Sequence, residues 1–234
     1  MLMYILGVIA VILTAIFIVV RVTKGGLAGV YTKTIASVAF IVLGLFGAYT
    51  TGLTLIAVFT LLGLICGMLG DIVLDLKVVY RNDNDRHLNA GMLCFGVGHI
   101  MYFVALTIYA LNSAVLSNKM TALILIPLGG AIFITSAIML LAKPLLKLNF
   151  GKFKIQTALY TFALSFMTIY AFATGAFVTK LLIFAVGLLL IFLSDLILSN
   201  QYFGGKQDNK LFTILNHAIY YLGQITIAVM LFFM

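Results

Sequence analysis

The sequence predicts an all-α, polytopic membrane helical bundle of about eight transmembrane helices. Three observations carry that prediction. Hydrophobic residues make up 64% of the 234-residue chain and charged residues only 9%, with a mean hydropathy of +1.24. A soluble domain carries roughly a quarter charged residues, so this surface is built for lipid. The apolar residues also come in unbroken runs, such as Leu53 to Leu69, instead of the alternation a barrel strand needs. Finally, at roughly 20 residues per span with short loops, the length accommodates about eight helices.

Taken in order, the apolar runs place spans over 2–20, 32–49, 53–76, 90–112, 121–142, 155–174, 180–200 and 211–233. Residues 2–20 have no basic leader and no convincing small-residue cleavage site, so the reading is a retained span. Gly25-Gly26 and Gly204-Gly205 mark loops. Pro127 sits near the start of the fifth span, where neighbouring groups can satisfy the backbone it frees. No linker separates the spans, so 1–234 reads as a single transmembrane domain.

The net charge of +8 does not point to nucleic acid, because no basic stripe is interleaved with aromatics in a soluble segment. Lys and Arg lie between the apolar runs instead. Twelve fall at the first, third, fifth and seventh connections, from Arg21, Lys24 and Lys33 through to Lys206 and Lys210; only Lys119 and Lys180 fall at the others. Short basic loops stay cytoplasmic, so both termini are expected outside. An even number of spans requires the same parity. Cys66 and Cys94 lie inside apolar runs and read as packing residues.

Ionisable side chains inside a bilayer are costly, about 2.5–3.5 kcal/mol for an aspartate at a span centre on insertion scales. Each one therefore needs an account. Asp71 and Asp75 lie near the end of the third span, Asp195 near the end of the seventh, His99 and Tyr102 in the fourth, and His217, Tyr220, Tyr221 and Gln224 in the eighth. The helical rise puts Asp71, Asp195 and His217 roughly 8–10 Å from the cytoplasmic ends. The eighth-span residues follow i, i+3, i+4, i+7 and share a stripe. Gly63 and Gly67 form a small-residue row that Asp71 continues, which turns Asp71 toward protein. The expected product is one polar pocket near the inner leaflet. Asp75 sits closer to the edge and reads as solvated or paired with Lys77 or Arg81. Asp83 and Asp85, with Arg81, Arg86 and His87, read as a solvated loop.

The chain also looks internally duplicated. Gly70-Asp71-Ile-Val-Leu74 parallels Ser194-Asp195-Leu-Ile-Leu198, and each precedes a span with His-x-x-Tyr, at His99–Tyr102 and His217–Tyr220. The offset of four spans implies two parallel four-helix repeats, 1–115 and 116–234, with the site at their interface.

No Gly-x-Ser-x-Gly elbow, Walker loop, His-Glu-x-x-His or Cys-x-x-Cys is present. What remains is carboxylates with imidazoles and phenols. Two buried carboxyl groups can divide acid and base roles between them, which suits protonation of an acid-labile bond. The motifs Gly70-Asp71-x-x-Leu74, Gly98-His99-x-x-Tyr102, Ser194-Asp195-x-x-Leu198 and Tyr220-Tyr221-x-Gly223-Gln224 resemble the YhhN-type lysoplasmalogenase family, as do Lys33 and Tyr160 with Met167. Thr34 departs from the family, which often has Pro there.

The resemblance implies an integral protein of the bacterial plasma membrane that hydrolyses the vinyl ether bond of a lysoplasmalogen, giving a fatty aldehyde and a glycerophospho-base. It implies no cofactor, no nucleic acid, and a lysophospholipid-type substrate taken from among membrane lipids. On that reading Asp71 and Asp195 are the acid/base pair, with either as proton donor. His99, Tyr102, Tyr160, His217, Tyr220, Tyr221, Gln224 and Asp75 line the substrate, and Lys33 or a loop cation meets the phosphate. Two other readings stand beside it. In one, His99, His217 and an aspartate hold zinc in a metal-dependent lipid hydrolase; in the other, the same groups relay protons in a transporter or serve a lipid-binding protein.

Overall fold

Each apolar run becomes one helix. The computed structural model describes residues 1–76, 80, 83–206 and 209–234. Its long helices are α1 (Leu2–Thr23), α2 (Gly26–Thr50), α3 (Leu55–Asp75), α4 (Asn84–Asn112), α5 (Met120–Leu141), α6 (Lys154–Gly175), α7 (Leu182–Phe203) and α8 (Lys210–Met230). At about 1.5 Å per residue the shortest still spans more than 30 Å, enough for a hydrocarbon core about 30 Å thick. All eight are long and apolar enough to cross a membrane, and the described residues contain no strand. The chain is an integral membrane protein with an all-helical bundle fold.

Two helices begin earlier than hydropathy alone suggests, and both shifts bear on the site. α2 starts at Gly26 and α4 at Asn84. A helix keeps its hydrogen-bond ladder past the point where its side chains stop being apolar, so a hydropathy window sees only the lipid-crossing part. Lys33 is therefore two turns inside α2. Asp85, Arg86 and His87 sit on the first turn of α4 instead of in a loop. Asp85 pairs with Lys152, and Asp83 lies 3.4 Å from Arg86, all at exposed positions. Lys77 and Arg81 lie outside the described residues.

Sequential helices form four hairpins, α1–α2, α3–α4, α5–α6 and α7–α8. Further packing joins α2 to α3, α6 to α7, α8 to α2 and α4 to α6. Advancing each helix by four positions, cyclically, maps all these pairings onto one another. The main exception is that α1 packs against α8, whereas α5 packs on α6 and hardly meets α4. A gap is left on the α4–α5 side.

Glycines set how closely the α3–α4 and α7–α8 hairpins approach. A Cβ on Gly98 would lie 3.1 Å from the Gly63 carbonyl oxygen, and one on Gly223 would lie 2.7 Å from that of Gly187. A Cβ on Gly63 would fall 2.2 Å from the Tyr102 ring. Backbone-to-backbone contact of this kind is how helices associate where lipid removes the hydrophobic drive. It also fixes the register of α4 on α3 and of α8 on α7, and so the level at which their polar side chains stand.

Candidate active site

The polar residues gather in two regions joined by a short bridge. In the first, α2 and α3 face each other with Lys33 and Ser37 on one helix and Asp71 and Asp75 on the other, each pair one turn apart. Lys33 Nζ lies 3.1 Å from Asp71 Oδ1 and 3.5 Å from Asp75 Oδ1. Arg21 of α1 bonds Asp75 from the other side. Ser37 donates to Asp71 Oδ2 at 3.1 Å, and its hydroxyl is 2.8 Å from that of Tyr221. Tyr221 in turn donates to the Lys33 carbonyl at 3.0 Å. Lys33, Asp71 and Asp75 are all buried. Two carboxylates thus meet two cations, and Ser37 adds a hydrogen bond to Asp71, which offsets the cost of holding charge out of water.

The second region is built by α6 and α7. Asp195 accepts a hydrogen bond on Oδ2 from Tyr160. Asp195 and Tyr160 stand on the wall of a cleft of about 80 Å³ that is open to the outside. The remaining polar lining is Thr157, Thr161, Ser199 and Tyr202. Everything else is apolar: Leu88, Met92 and Phe95 from α4, Ile138 from α5, Leu146, Leu148 and Phe150 from the α5–α6 connection, and further leucines and phenylalanines of α3, α6 and α7. The cleft occupies the α4–α5 gap, at the end of the bundle that carries the basic connections. No cation lines it.

Between the regions, Tyr102 donates to Gln224 Oε1 at 3.4 Å, and Gln224 Nε2 donates to the Tyr220 hydroxyl at 2.9 Å. Gly67 makes room for this bridge, since a Cβ there would sit 2.8 Å from Gln224 Nε2. The Tyr220 hydroxyl faces the Asp71 carboxylate. His99 stands between Tyr102 and Tyr160, with ring centroids 6.2 and 6.0 Å away. It is 5% exposed, and among the described residues neither ring nitrogen has a hydrogen-bond partner. Phe95 separates the halves: it lines the cleft on one side and packs on Gly70 and Tyr220 on the other. Asp71 and Asp195 are near enough to interact electrostatically, yet Asp71 is not on the cleft wall.

A family model described as the YhhN family matches residues 28–231, taking in all eight helices but the first. The chain belongs to the YhhN family. No curated protein and no solved structure matches it. The matched region contains Lys33, Asp71, Asp75, His99, Tyr102, Tyr160, Asp195, His217, Tyr220, Tyr221 and Gln224.

In this YhhN-family chain four expectations need correction. Lys33 does not open a span as a free cation for phosphate; it is locked between Asp71 and Asp75. Asp75 is neither solvated nor held by its own loop, but buried against Arg21 and Lys33. His217 keeps to the Tyr221 edge of its stripe and faces α1: Phe17 meets its ring edge-on at 4.9 Å and that of Tyr221 at 5.5 Å. A stripe spanning i to i+7 is broad enough for its first residue to face a different neighbour. The zinc reading needs His99 and His217 to converge, and they face different helices; among the described residues no three His, Cys, Asp or Glu side chains form a metal-holding group.

The glycine crossings also correct the motif matching. Gly63 and Gly187 are 124 positions apart, as are Asp71 and Asp195, and Gly98 and Gly223 are 125 apart. This register sets His99 opposite Gln224 and Phe95 opposite Tyr220, so the two His-x-x-Tyr motifs are not equivalent in space.

Sequence reasoning missed Arg21 and Ser37 in the first region and Thr157, Thr161, Ser199 and Tyr202 in the second. Arg21 was hidden among topology charges. Ser37 had a signal, since Lys33–Ser37 and Asp71–Asp75 share a four-residue spacing that lets two helices face each other.

Proposed function

We propose that this chain is a membrane lipid hydrolase that cleaves the vinyl ether bond of a lysoplasmalogen, with Asp195 as the proton donor. The observation that carries this reading is the cleft itself: a carboxyl group fixed by Tyr160 at the polar end of an otherwise apolar cavity. Such a lining suits the apolar chain of a lipid whose first bond lies beside a polar group. The excess of Lys and Arg at the first, third, fifth and seventh connections supports a cytoplasmic opening and extracytoplasmic termini.

The chemistry needs little machinery. Asp195 in its acid form protonates the alkenyl carbon one bond removed from the ether carbon. The double bond shifts to an oxocarbenium ion, which the new Asp195 carboxylate stabilises. Water adds to the cationic carbon, passing a proton back to Asp195, and the hemiacetal collapses to a fatty aldehyde and the glycerol hydroxyl. One water is consumed and the acid is regenerated. Proton transfer by a placed side chain contributes about 10²–10⁴-fold. His99, whose ring nitrogens have no partner among the described residues and which stands beside Tyr160, is placed to hold that water. Asp71, neutralised by Lys33, is a positioning residue that holds Tyr220, and through it Gln224 and Tyr102, against the back of the cleft. The Asp71–Lys33 and Asp195–Tyr160 groups then divide the work between frame and chemistry.

Mass spectrometry of the purified protein with a lysoplasmalogen and with an acyl lysophospholipid tests the reading. Fatty aldehyde from the first and no fatty acid from the second is the expected result. Fatty acid from the acyl lipid, or no product from either, contradicts it.

A further inference from the structure

Thr157 of α6 is a polar side chain with no assigned purpose. It is 6% exposed, lines the cleft with Asp195, and among the described residues its hydroxyl has no hydrogen-bond partner. Among the described residues Thr135 shares this state, but most helical threonines bond back to their own helix. Thr14, Thr32, Thr34, Thr60, Thr168 and Thr174 all return their hydroxyls to the backbone carbonyl four residues earlier. A buried hydroxyl without a partner is destabilising, so a bound group is the natural counterpart.

The 124-position spacing shows what is missing. Stepping back from Thr157, Thr161 and Ser199 by that interval gives Lys33, Ser37 and Asp75. The same step carries much of the buried face of α6, including Leu164, Met167, Thr168 and Ala171, onto Phe40, Leu43, Gly44 and Gly47 of α2, all buried. In the first region the side chain at this position reaches across and gives Asp71 an ammonium at 3.1 Å. In the second the side chain stops at a hydroxyl, on the wall of the cleft it shares with Asp195.

We propose that Thr157 is the specificity residue of the cleft, holding a free hydroxyl of a single-chain lipid beside Asp195. A ligand hydroxyl serves both neighbours at once: it donates toward the carboxyl group and accepts from Thr157. An esterified or alkylated oxygen at that point can only accept, and leaves one group unpaired. This assignment rests on the cleft being the lipid site, and its test does not depend on which bond is cleaved.

Binding of a non-hydrolysable 1-O-alkyl lysophospholipid is compared with binding of its 2-O-methyl analogue, using the full-length protein in detergent. The readouts are ligand-induced thermal shift and displacement. Wild type is expected to prefer the free hydroxyl by about tenfold, the worth of roughly one hydrogen bond. Thr157→Val, of nearly the same shape, is expected to bind both equally, and Thr157→Ser to restore the preference. Equal binding of the two lipids by wild type, or an undiminished preference in Thr157→Val, overturns the proposal. Thr157→Lys supplies a second arm: it recreates the first region's ion pair, and folded protein that no longer binds either lipid is expected. Unchanged binding in Thr157→Lys also overturns it. Aldehyde release, measured separately, reports on the bond cleaved and not on this seat.

Discussion

Asp71 and Asp195 end the same kind of helix, follow the same kind of glycine crossing and lie at matching places in their hairpins, yet their surroundings are opposite. Around Asp71 every position is filled: Lys33, Arg21 and Asp75 close an ion network, Ser37 and Tyr221 complete its hydrogen bonds, and α1 seals the outside through Phe17 and His217. Around Asp195 the place of Lys33 is taken by Thr157, α5 brings the apolar Ile138 to the cleft, and α5 stands away from α4. A filled site is a frame. An open one with the same carboxylate is a place for a ligand. With Asp195 as the proposed proton donor, the difference teaches that the space beside an intramembrane charge, more than the charge alone, marks a candidate reactive residue.

That contrast can be broken in several places. The largest expected effect is on turnover in Asp195→Asn, which removes the transferable proton at constant shape. We expect a fall of about 10²–10⁴-fold with the thermal transition unchanged, measured by aldehyde release and fluorescence melting in detergent. Lys33→Met acts on the other region and on stability instead. It leaves Asp71 buried with one cation fewer, at a cost of about 3–5 kcal/mol. Adding Asp71→Asn to Lys33→Met is expected to recover most of that loss, because no unpaired charge then remains; thermal melting of both variants is the check. If Asp195→Asn unfolds the protein as Lys33→Met does, the two carboxylates are alike and the contrast fails.

Tyr160→Phe sharpens the second region alone. It deletes the hydroxyl that holds Asp195, a bond to a charged or polarised group worth about 1.5–3 kcal/mol, so turnover should drop by roughly ten- to a hundredfold with little change in apparent substrate affinity. The smallest effect belongs to Lys152→Ala. Its pair with Asp85 joins the α5–α6 connection to α4, but both side chains are exposed. Less than about 1 kcal/mol of stability and no change in turnover are expected.

Much of this fold was legible in the chain, because membrane helices announce themselves by length and hydropathy. All eight were anticipated, with errors mainly where polar residues continue a helix beyond the hydrocarbon. The site was only partly legible. That Asp71 faces protein followed from the Gly63, Gly67, Asp71 row, since small residues lie against neighbours. What could not be read was the partner of each charge. Arg21, 54 positions away from Asp75, looks like any loop cation until α1 is packed. The two His-x-x-Tyr motifs misled for the opposite reason: a strong resemblance in sequence set His217 level with His99, whereas backbone contact between glycines, invisible as a motif, decides the register. The cleft arises from a gap between two helices, and gaps leave no signature in composition.

The central claim is that lipid binds beside Asp195 and not in the Asp71 network. Photocrosslinking with a single-chain lysophospholipid carrying a diazirine in its tail, with and without excess unlabelled lipid, tests it most directly. The account predicts that competed labels fall on cleft residues such as Met92, Leu164 and Phe192. Competed labels concentrated around Phe17, Phe40 and Tyr221, with none in the cleft, would contradict it.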